Sequence, residues 1–266
     1  MAFTRADLLA AAERSAQATG AHDRGGWVGL FTPGASVADP VGSVPHTGIR
    51  AIERFYDTFI ASRDISFHPD VDIVVGATVI RDLELEVRMT PELSLRIPVY
   101  IRYDIDDGHD DLKIAALSAF WELPAMIGQF LRNGVRAVPA GMQLSRALLT
   151  NQGITGAIGF LSGIRGIGPA GKKRFTEFLR DVRAGNEVAL WRRLAKGARI
   201  TSGDDTAISA VDLLDRLAGA QWHKLINAGP YLVVGVVNAG HRGVLFAEAS
   251  ANPFSIKRIR YFSEGN

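Results

Sequence analysis

The chain contains no cysteine. That excludes structural disulfides, thiolate-zinc sites and cysteine nucleophiles, and it fits a reducing compartment. No run of eighteen apolar residues occurs, so no ordinary membrane-spanning helix is expected. The opening Met-Ala-Phe-Thr-Arg-Ala-Asp has no apolar core of signal-peptide type, which makes the cytoplasm the expected location. Excess charge is lacking too. Against 30 Lys and Arg stand 28 Asp and Glu, a formal net charge of +2. With no aromatic-flanked basic patch either, nothing calls for nucleic acid as a partner.

Other signatures are also missing. The histidines (His22, His46, His68, His109, His223 and His241) are scattered, without paired metal-ligand spacing. There is no Gly-x-Ser-x-Gly elbow. Gly166-Ile167-Gly168-Pro169-Ala170-Gly171-Lys172-Lys173 has the glycines and lysine of a phosphate loop. It ends in Lys where a magnesium-binding Ser or Thr is needed, and no clear strand precedes it. No metal or organic cofactor is expected.

What remains is a globular composition, with 47% hydrophobic and 22% charged residues. At 266 residues the chain is long enough for one large or two ordinary domains. Residues 4–19 read as a helix, with Thr4 as N-cap and Leu8, Leu9, Ala12 and Ala16 at helical spacing. A second short helix spans about 23–31. Ala35-Ser36-Val37-Ala38-Asp39-Pro40 then reads as a short strand. The residue before a proline is pushed towards extended geometry, so Asp39 belongs at a strand end. A helix at 48–61 carries Ile49, Ile52, Phe55, Tyr56 and Phe59 on one face.

A β-meander follows. Leu83, Leu85, Val87 and Met89 alternate with Asp82, Glu84, Glu86 and Arg88. Residues 95–103 alternate through Leu95, Ile97, Val99, Ile101 and Tyr103. Asp106-Asp107-Gly108 is turn chemistry, and 112–121 closes the meander on Phe120-Trp121. Helices followed by a curved antiparallel sheet make an α+β cone over residues 1–122.

The character changes at about 122. From Leu123 to Thr176 there is no acidic residue, while Arg132, Arg136, Arg146, Arg165, Lys172, Lys173 and Arg174 are basic. Ile127, Phe130, Leu131, Val135 and Val138 form one helical stripe, and Met142, Leu148 and Leu149 part of another. Pro139 and the glycines divide the stretch into short helices. Residues 123–171 suit a connector packing its apolar face on two domains. They also suit an interfacial membrane helix, which would make the protein membrane-peripheral.

From about 172 the first pattern returns. A helix with Phe175, Phe178, Leu179 and Val182 leads to Val188-Ala189-Leu190-Trp191, then to a helix at 207–218 and strands at 231–238, 243–249 and 255–262. Ala35-Ser36-Val37-Ala38-Asp39 falls on Ala198-Arg199-Ile200-Thr201-Ser202. This is read as a diverged internal duplication over 172–266; an unrelated α+β domain is the alternative.

The stretch Asp39-Pro40-Val41-Gly42-Ser43-Val44-Pro45-His46-Thr47-Gly48, followed by Ala51-Ile52-Glu53-Arg54-Phe55-Tyr56, resembles the ketosteroid isomerase branch of the nuclear transport factor 2-like (SnoaL-like) superfamily. The resemblance covers about residues 4–121, and it implies the cone fold. It also implies a steroid delta-isomerase activity. In that family a carboxylate removes a proton beside a 3-ketosteroid carbonyl and returns it two carbons away, through a dienolate held by oxyanion donors. An Asp serves as base, and a Tyr and a protonated Asp serve as donors.

Asp39 matches the base; its alternative is a turn aspartate. The donors do not match. Ser15 stands in the place of the donor tyrosine, and serine is too short to replace a phenol. The donor aspartic acid falls on Tyr100, or on Val99 after a one-residue slip that would flip the strand's faces. Tyr56 matches a supporting tyrosine, and Tyr56, Tyr100 or Tyr103 could each donate or simply pack. In the C-terminal half Ser202 takes the place of Asp39, with Asp204 and Asp205 close behind, so that half is expected to be non-catalytic. Members of the family commonly dimerise, so a homodimer or an internal pseudo-dimer is implied. Three functions stay open: a cofactor-independent isomerase of ketosteroids or similar enones, a carrier of steroid-like apolar ligands, and a membrane-associated scaffold.

Overall fold

The computed structural model describes residues 3–106, 111–164 and 166–264. Met1, Ala2, the expected turn at Asp107-Gly108, His109 and Arg165 lie outside the described residues. The chain is α+β and divides into two compact units, residues 1–72 with 77–164, and residues 73–76 with 165–266.

The first unit opens with α1 (Arg5–Gly20). Thr4 caps it as expected. The Thr4 hydroxyl accepts from the Asp7 N–H, and the Asp7 carboxylate accepts from the Thr4 N–H at 2.8 Å. Two donors that a helix start leaves orphaned are thus satisfied reciprocally. There follow α2 (Arg24–Gly29), β1 (Phe31–Ala38), β2 (His46–Thr47) and α3 (Ile49–Phe59). The strands β3 (Asp64–Val75), β4 (Thr78–Thr90), β5 (Leu93–Asp106) and β6 (Lys113–Phe120) complete a sheet of order β2-β1-β6-β5-β4-β3.

The alternation legible in β4 and β5 sets their register. Leu83 lies opposite Val99, Leu85 opposite Ile97 and Val87 opposite Leu95, so the apolar residues of both strands share one face. One pairing departs from the expected antiparallel sheet. β1 runs parallel to β6, with Val37 opposite Leu117 and Ala38 opposite Ser118. A parallel neighbour needs a long crossover, and the chain through α3, β3, β4 and β5 supplies it.

Three short helices end this unit, α4 (Leu123–Arg132), α5 (Ala137–Ala147) and α6 (Gly153–Leu161), with a π-helical turn at Leu148–Gln152. α4 stops before Gly134, whose φ of 55° favours a residue without a side chain. Among the described residues no helix is long and apolar enough to cross a membrane.

The second unit repeats the order of elements. It contains α7 (Gly168–Arg183), α8 (Glu187–Arg193), β7 (Leu194–Ser202), β8 (Thr206–Ala207) and α9 (Ala210–Leu217). Strands β9 (Gln221–Ala228), β10 (Tyr231–Asn238), β11 (His241–Ala251) and β12 (Phe254–Ser263) follow, in a sheet of order β8-β7-β12-β11-β10-β9. Again the first long strand runs parallel to the last, with Thr201 opposite Arg260. A Ser209–Asp212 capping box starts α9. Phe175, Phe178 and Val182 of α7 and Leu213 of α9 pack with Leu232 and Val234 of β10 in one buried core.

Candidate functional site

Adjacent parallel strands end side by side, and this brings the central pair of the site together. β1 ends at Ala38 and β6 at Phe120, and the Val41 N–H donates to the Ala119 carbonyl at 2.8 Å just beyond. The next residues, Asp39 and Trp121, therefore meet. Trp121 Nε1 donates to Asp39 Oδ1 at 2.6 Å, a short charge-assisted bond. Burial pushes the Asp39 carboxyl up to about 6, against the opposite pull of the Trp121 N–H. Such a carboxylate is ionised at neutral pH, yet far more basic than an ordinary aspartate.

Asp39 and Trp121 line a cavity of about 530 Å³, within the usual size range for small-molecule sites. The sheet contributes Leu85, Val87, Leu95 and Ile97, from the odd-numbered face of β4 and β5. α3 contributes Phe55 and Phe59. The rest of the lining comes from α4, α5, the π-helical turn and α6, through Ile127, Phe130, Leu144, Leu148 and Phe160 among others. Phe59 and Phe160 pack in a tilted pair with ring centroids 5.1 Å apart, joining α3 to this helical roof. Asp39 is the sole carboxylate among the lining residues, and Arg63 the sole cation.

The loop after Asp39 holds the roof. Ser43 Oγ donates to the Phe160 carbonyl at 2.9 Å, the Val44 N–H to the Gly159 carbonyl at 3.3 Å, and Ser162 Oγ to the Gly42 carbonyl at 3.3 Å. Gly163 makes the approach possible. A Cβ there would lie 2.5 Å from Ser43 Oγ and 3.3 Å from Pro40 Cγ.

The structure does not bring the matched tyrosines to the cavity. Tyr56 is 1% exposed, and its buried hydroxyl has no hydrogen-bond partner. Its pKa is raised by burial first, then by Asp23 and Asp57, which places the hydroxyl at the α2–α3 side of the fold. Tyr100 belongs to the even-numbered face of β5, opposite Asp82 and Phe120 in register, whereas the cavity uses the odd-numbered face. Tyr103 has the cavity's parity. Its hydroxyl is hydrogen-bonded to Ser15, and its pKa is raised mainly by burial, with a further push from the Asp39 charge. Ser15 is itself buried and accepts from Trp27 Nε1 at 3.1 Å. Where the resemblance leads one to expect a tyrosine, the chain thus has a serine held by Trp27 and Tyr103. His46 packs its ring on Phe55 at 5.1 Å and is not among the lining residues.

Two site residues carry no signal in the sequence taken alone. Trp121 is identified only by the parallel pairing of β1 and β6, a long-range fact. Arg63 is one arginine among many until the fold buries it.

The helical roof is apolar on its outer side as well. Val135 is 85% exposed, Ile154 72%, Leu131 69% and Ile158 65%. Leu131 follows the lining residue Phe130 directly, and Ile158 follows the lining residue Ala157.

Residues 12–115 match the family profile described as SnoaL-like domain. No curated protein matches the sequence. Similar solved structures include a Delta 5-3-ketosteroid isomerase from a Mycobacterium species, 24% identical, covering 45% of this chain and 96% of that one, with a TM-score of 0.41. A Mycobacterium tuberculosis protein in complex with estradiol-17beta-hemisuccinate is 20% identical, covering 44% of this chain and 95% of that one, with a TM-score of 0.41. An epoxide hydrolase of M. tuberculosis is 16% identical, covering 51% of this chain and 97% of that one, with a TM-score of 0.42.

Proposed function

With a SnoaL-like domain spanning residues 12–115, we propose that the protein is a cofactor-independent isomerase of ketosteroids or similar enones, in which Asp39 moves the proton. The observation that carries the reading is Asp39 itself: a carboxylate with its pKa near 6, held by Trp121 Nε1, lining an otherwise apolar cavity. Asp39 would accept the proton from the carbon beside the ligand carbonyl. The electron pair left behind conjugates with the carbonyl and the neighbouring double bond as a dienolate. The carboxylic acid then returns the proton to the far carbon of that system, so nothing is oxidised and no group is lost. Tyr103, whose hydroxyl is bonded to Ser15, is not among the lining residues, so this reading assigns no tyrosine as oxyanion donor. Tyr56 and Tyr100 act in this reading as packing residues.

The test is conversion of an unconjugated 3-ketosteroid, followed by the absorbance of the conjugated enone. Wild type should convert it, and Asp39→Asn should be slower by about a hundredfold to ten-thousandfold, the usual contribution of a positioned base. Ligand binding without conversion in wild type would leave a carrier of steroid-like ligands, the second reading, for which the apolar walls of the cavity are the supporting observation.

The outer face of the roof favours a further element, peripheral contact with a membrane. Nine large apolar residues from Leu131 to Ile164 are exposed, and exposed apolar surface of this kind marks interaction sites when it is contiguous. That stretch has no acid, and Arg132 and Arg146 stand exposed in it. Apolar ligands would then reach the cavity from lipid through the helices that roof it. Co-sedimentation with anionic vesicles should be strong for wild type and lost in Ile154→Glu with Ile158→Glu. Absence of wild-type binding sinks this element alone. The C-terminal unit, with the same order of elements and Ser202 at the end of β7, is read as a diverged, non-catalytic second copy.

A further inference from the structure

The base accounts for one polar group of the cavity and leaves another without a role. Arg63 follows α3, just before β3 begins at Asp64. It is 7% exposed and lines the cavity. Its Nη1 donates to the Thr58 carbonyl at 2.7 Å. Among the described residues it has no carboxylate partner.

Burying a cation without a counter-charge is costly, and proteins seldom do it unless something compensates. The hydrogen bond to Thr58 caps a carbonyl at the end of α3, but an arginine can do that from the surface. A guanidinium has five N–H donors in a fixed fork, and the cavity walls around this one are apolar. Asp39 does not neutralise it. The Asp39 carboxylate bonds Trp121 Nε1 and the Arg63 guanidinium bonds the Thr58 carbonyl, with no ion pair between them; burial pulls the Arg63 pKa down to about 10. Even so lowered, the guanidinium stays protonated at neutral pH. The cavity thus holds a base and a cation that do not pair with one another.

We infer that Arg63 is a binding residue for the carboxylate end of an elongated apolar ligand, whose other end meets Asp39. A planar guanidinium fork matches a carboxylate with two parallel hydrogen bonds. The inference rests on the cavity being the ligand site proposed above, and it names the ligand class: a steroid-like carboxylic acid in place of a neutral steroid.

The experiment compares two probes by titration calorimetry, androst-4-en-3-one-17β-carboxylic acid and its methyl ester. They share one skeleton and differ at one end, which is a carboxylate in the first and a neutral methyl ester in the second. Wild type should bind the acid about tenfold or more tightly than the ester, the scale of a charge-assisted hydrogen bond. Arg63→Met should erase that preference while keeping affinity for the ester, and Arg63→Lys should keep part of it. Arg63→Gln, which can still donate to Thr58, controls for the helix cap and should also lose the preference. Equal wild-type affinities overturn the inference and leave the Asp39 chemistry standing, as does a preference that survives Arg63→Met and Arg63→Gln. A preference retained in Asp39→Asn, together with no turnover in wild type, upholds the inference while the isomerase reading fails. Binding of neither probe overturns the inference, and the isomerase reading then stands or falls with the turnover assay.

Discussion

The two units share an order of elements and differ in what fills them. In the second, Phe175 and Phe178 of α7 are fully buried against the sheet, and the helices and strands close into one core. In the first, helix α1 presents the smaller Leu8, Ala11, Ala12 and Ser15 inward. The sheet there faces a cavity, and a separate set of helices covers it. The ends of the first long strands differ as well. β1 leads into Asp39, next to Trp121, whereas β7 ends in Ser202, whose hydroxyl accepts from Arg216 at 3.3 Å. The same order of elements thus frames a core with two fully buried phenylalanines in one unit and borders an apolar cavity in the other.

The largest expected contrast is in stability. Phe178→Ala removes a ring from a closed core and should cost about 3–5 kcal/mol. Phe59→Ala enlarges an existing cavity and should cost about half as much, because one side of that ring already lacks neighbours. Urea unfolding of the two variants checks this, and equal costs would mean that the first unit is as tightly filled as the second. Next comes pH. The turnover of an unconjugated ketosteroid should fall about tenfold per pH unit below a limb near 6, where Asp39 takes up its proton. Trp121→Phe removes the hydrogen bond that lowers this pKa, so the limb should move to higher pH. Stability has the opposite sign. Between the ordinary aspartate value of 3.8 and about 6 the native state holds a proton that the unfolded chain releases. Stability is therefore lost as pH rises through that window, and Asp39→Asn should recover it above pH 6. The smallest effect belongs to Ser202→Asp. With Arg216 in place of a tryptophan N–H beside it, an acid there should add no isomerase activity and change stability by no more than about 0.5 kcal/mol, as read by the steroid assay and a thermal melt.

Much of the first unit was legible in the residues themselves. Thr4 caps α1, Asp39 stands at a strand end, and the odd-numbered residues of β4 and β5 form the apolar face. Each of these follows from local chemistry or from a period of two. Tyr100, expected as a candidate donor, lies instead on the even-numbered face of β5 and is not among the lining residues. The stripe from Ile127 to Val138 was read correctly only in part. Ile127 and Phe130 line the cavity, but Val135 and Val138 are exposed. A helical period holds only while the helix continues, and Gly134 interrupts it. Trp121 and Arg63 were out of reach because strand pairing and burial, not spacing, give them their places.

The close approach of Gly163 to Ser43 has a practical consequence. The two sites are near enough for a disulfide, whose β-carbons must lie about 3.5–4.5 Å apart, and the natural chain offers no thiol to compete. Ser43→Cys with Gly163→Cys would therefore give a latch that reductant opens and oxidant shuts. Closed over a ligand, it would turn the roof into a trap and make residence time a property under experimental control. Closed when empty, it would show whether ligand passes beneath the roof or waits for it to lift.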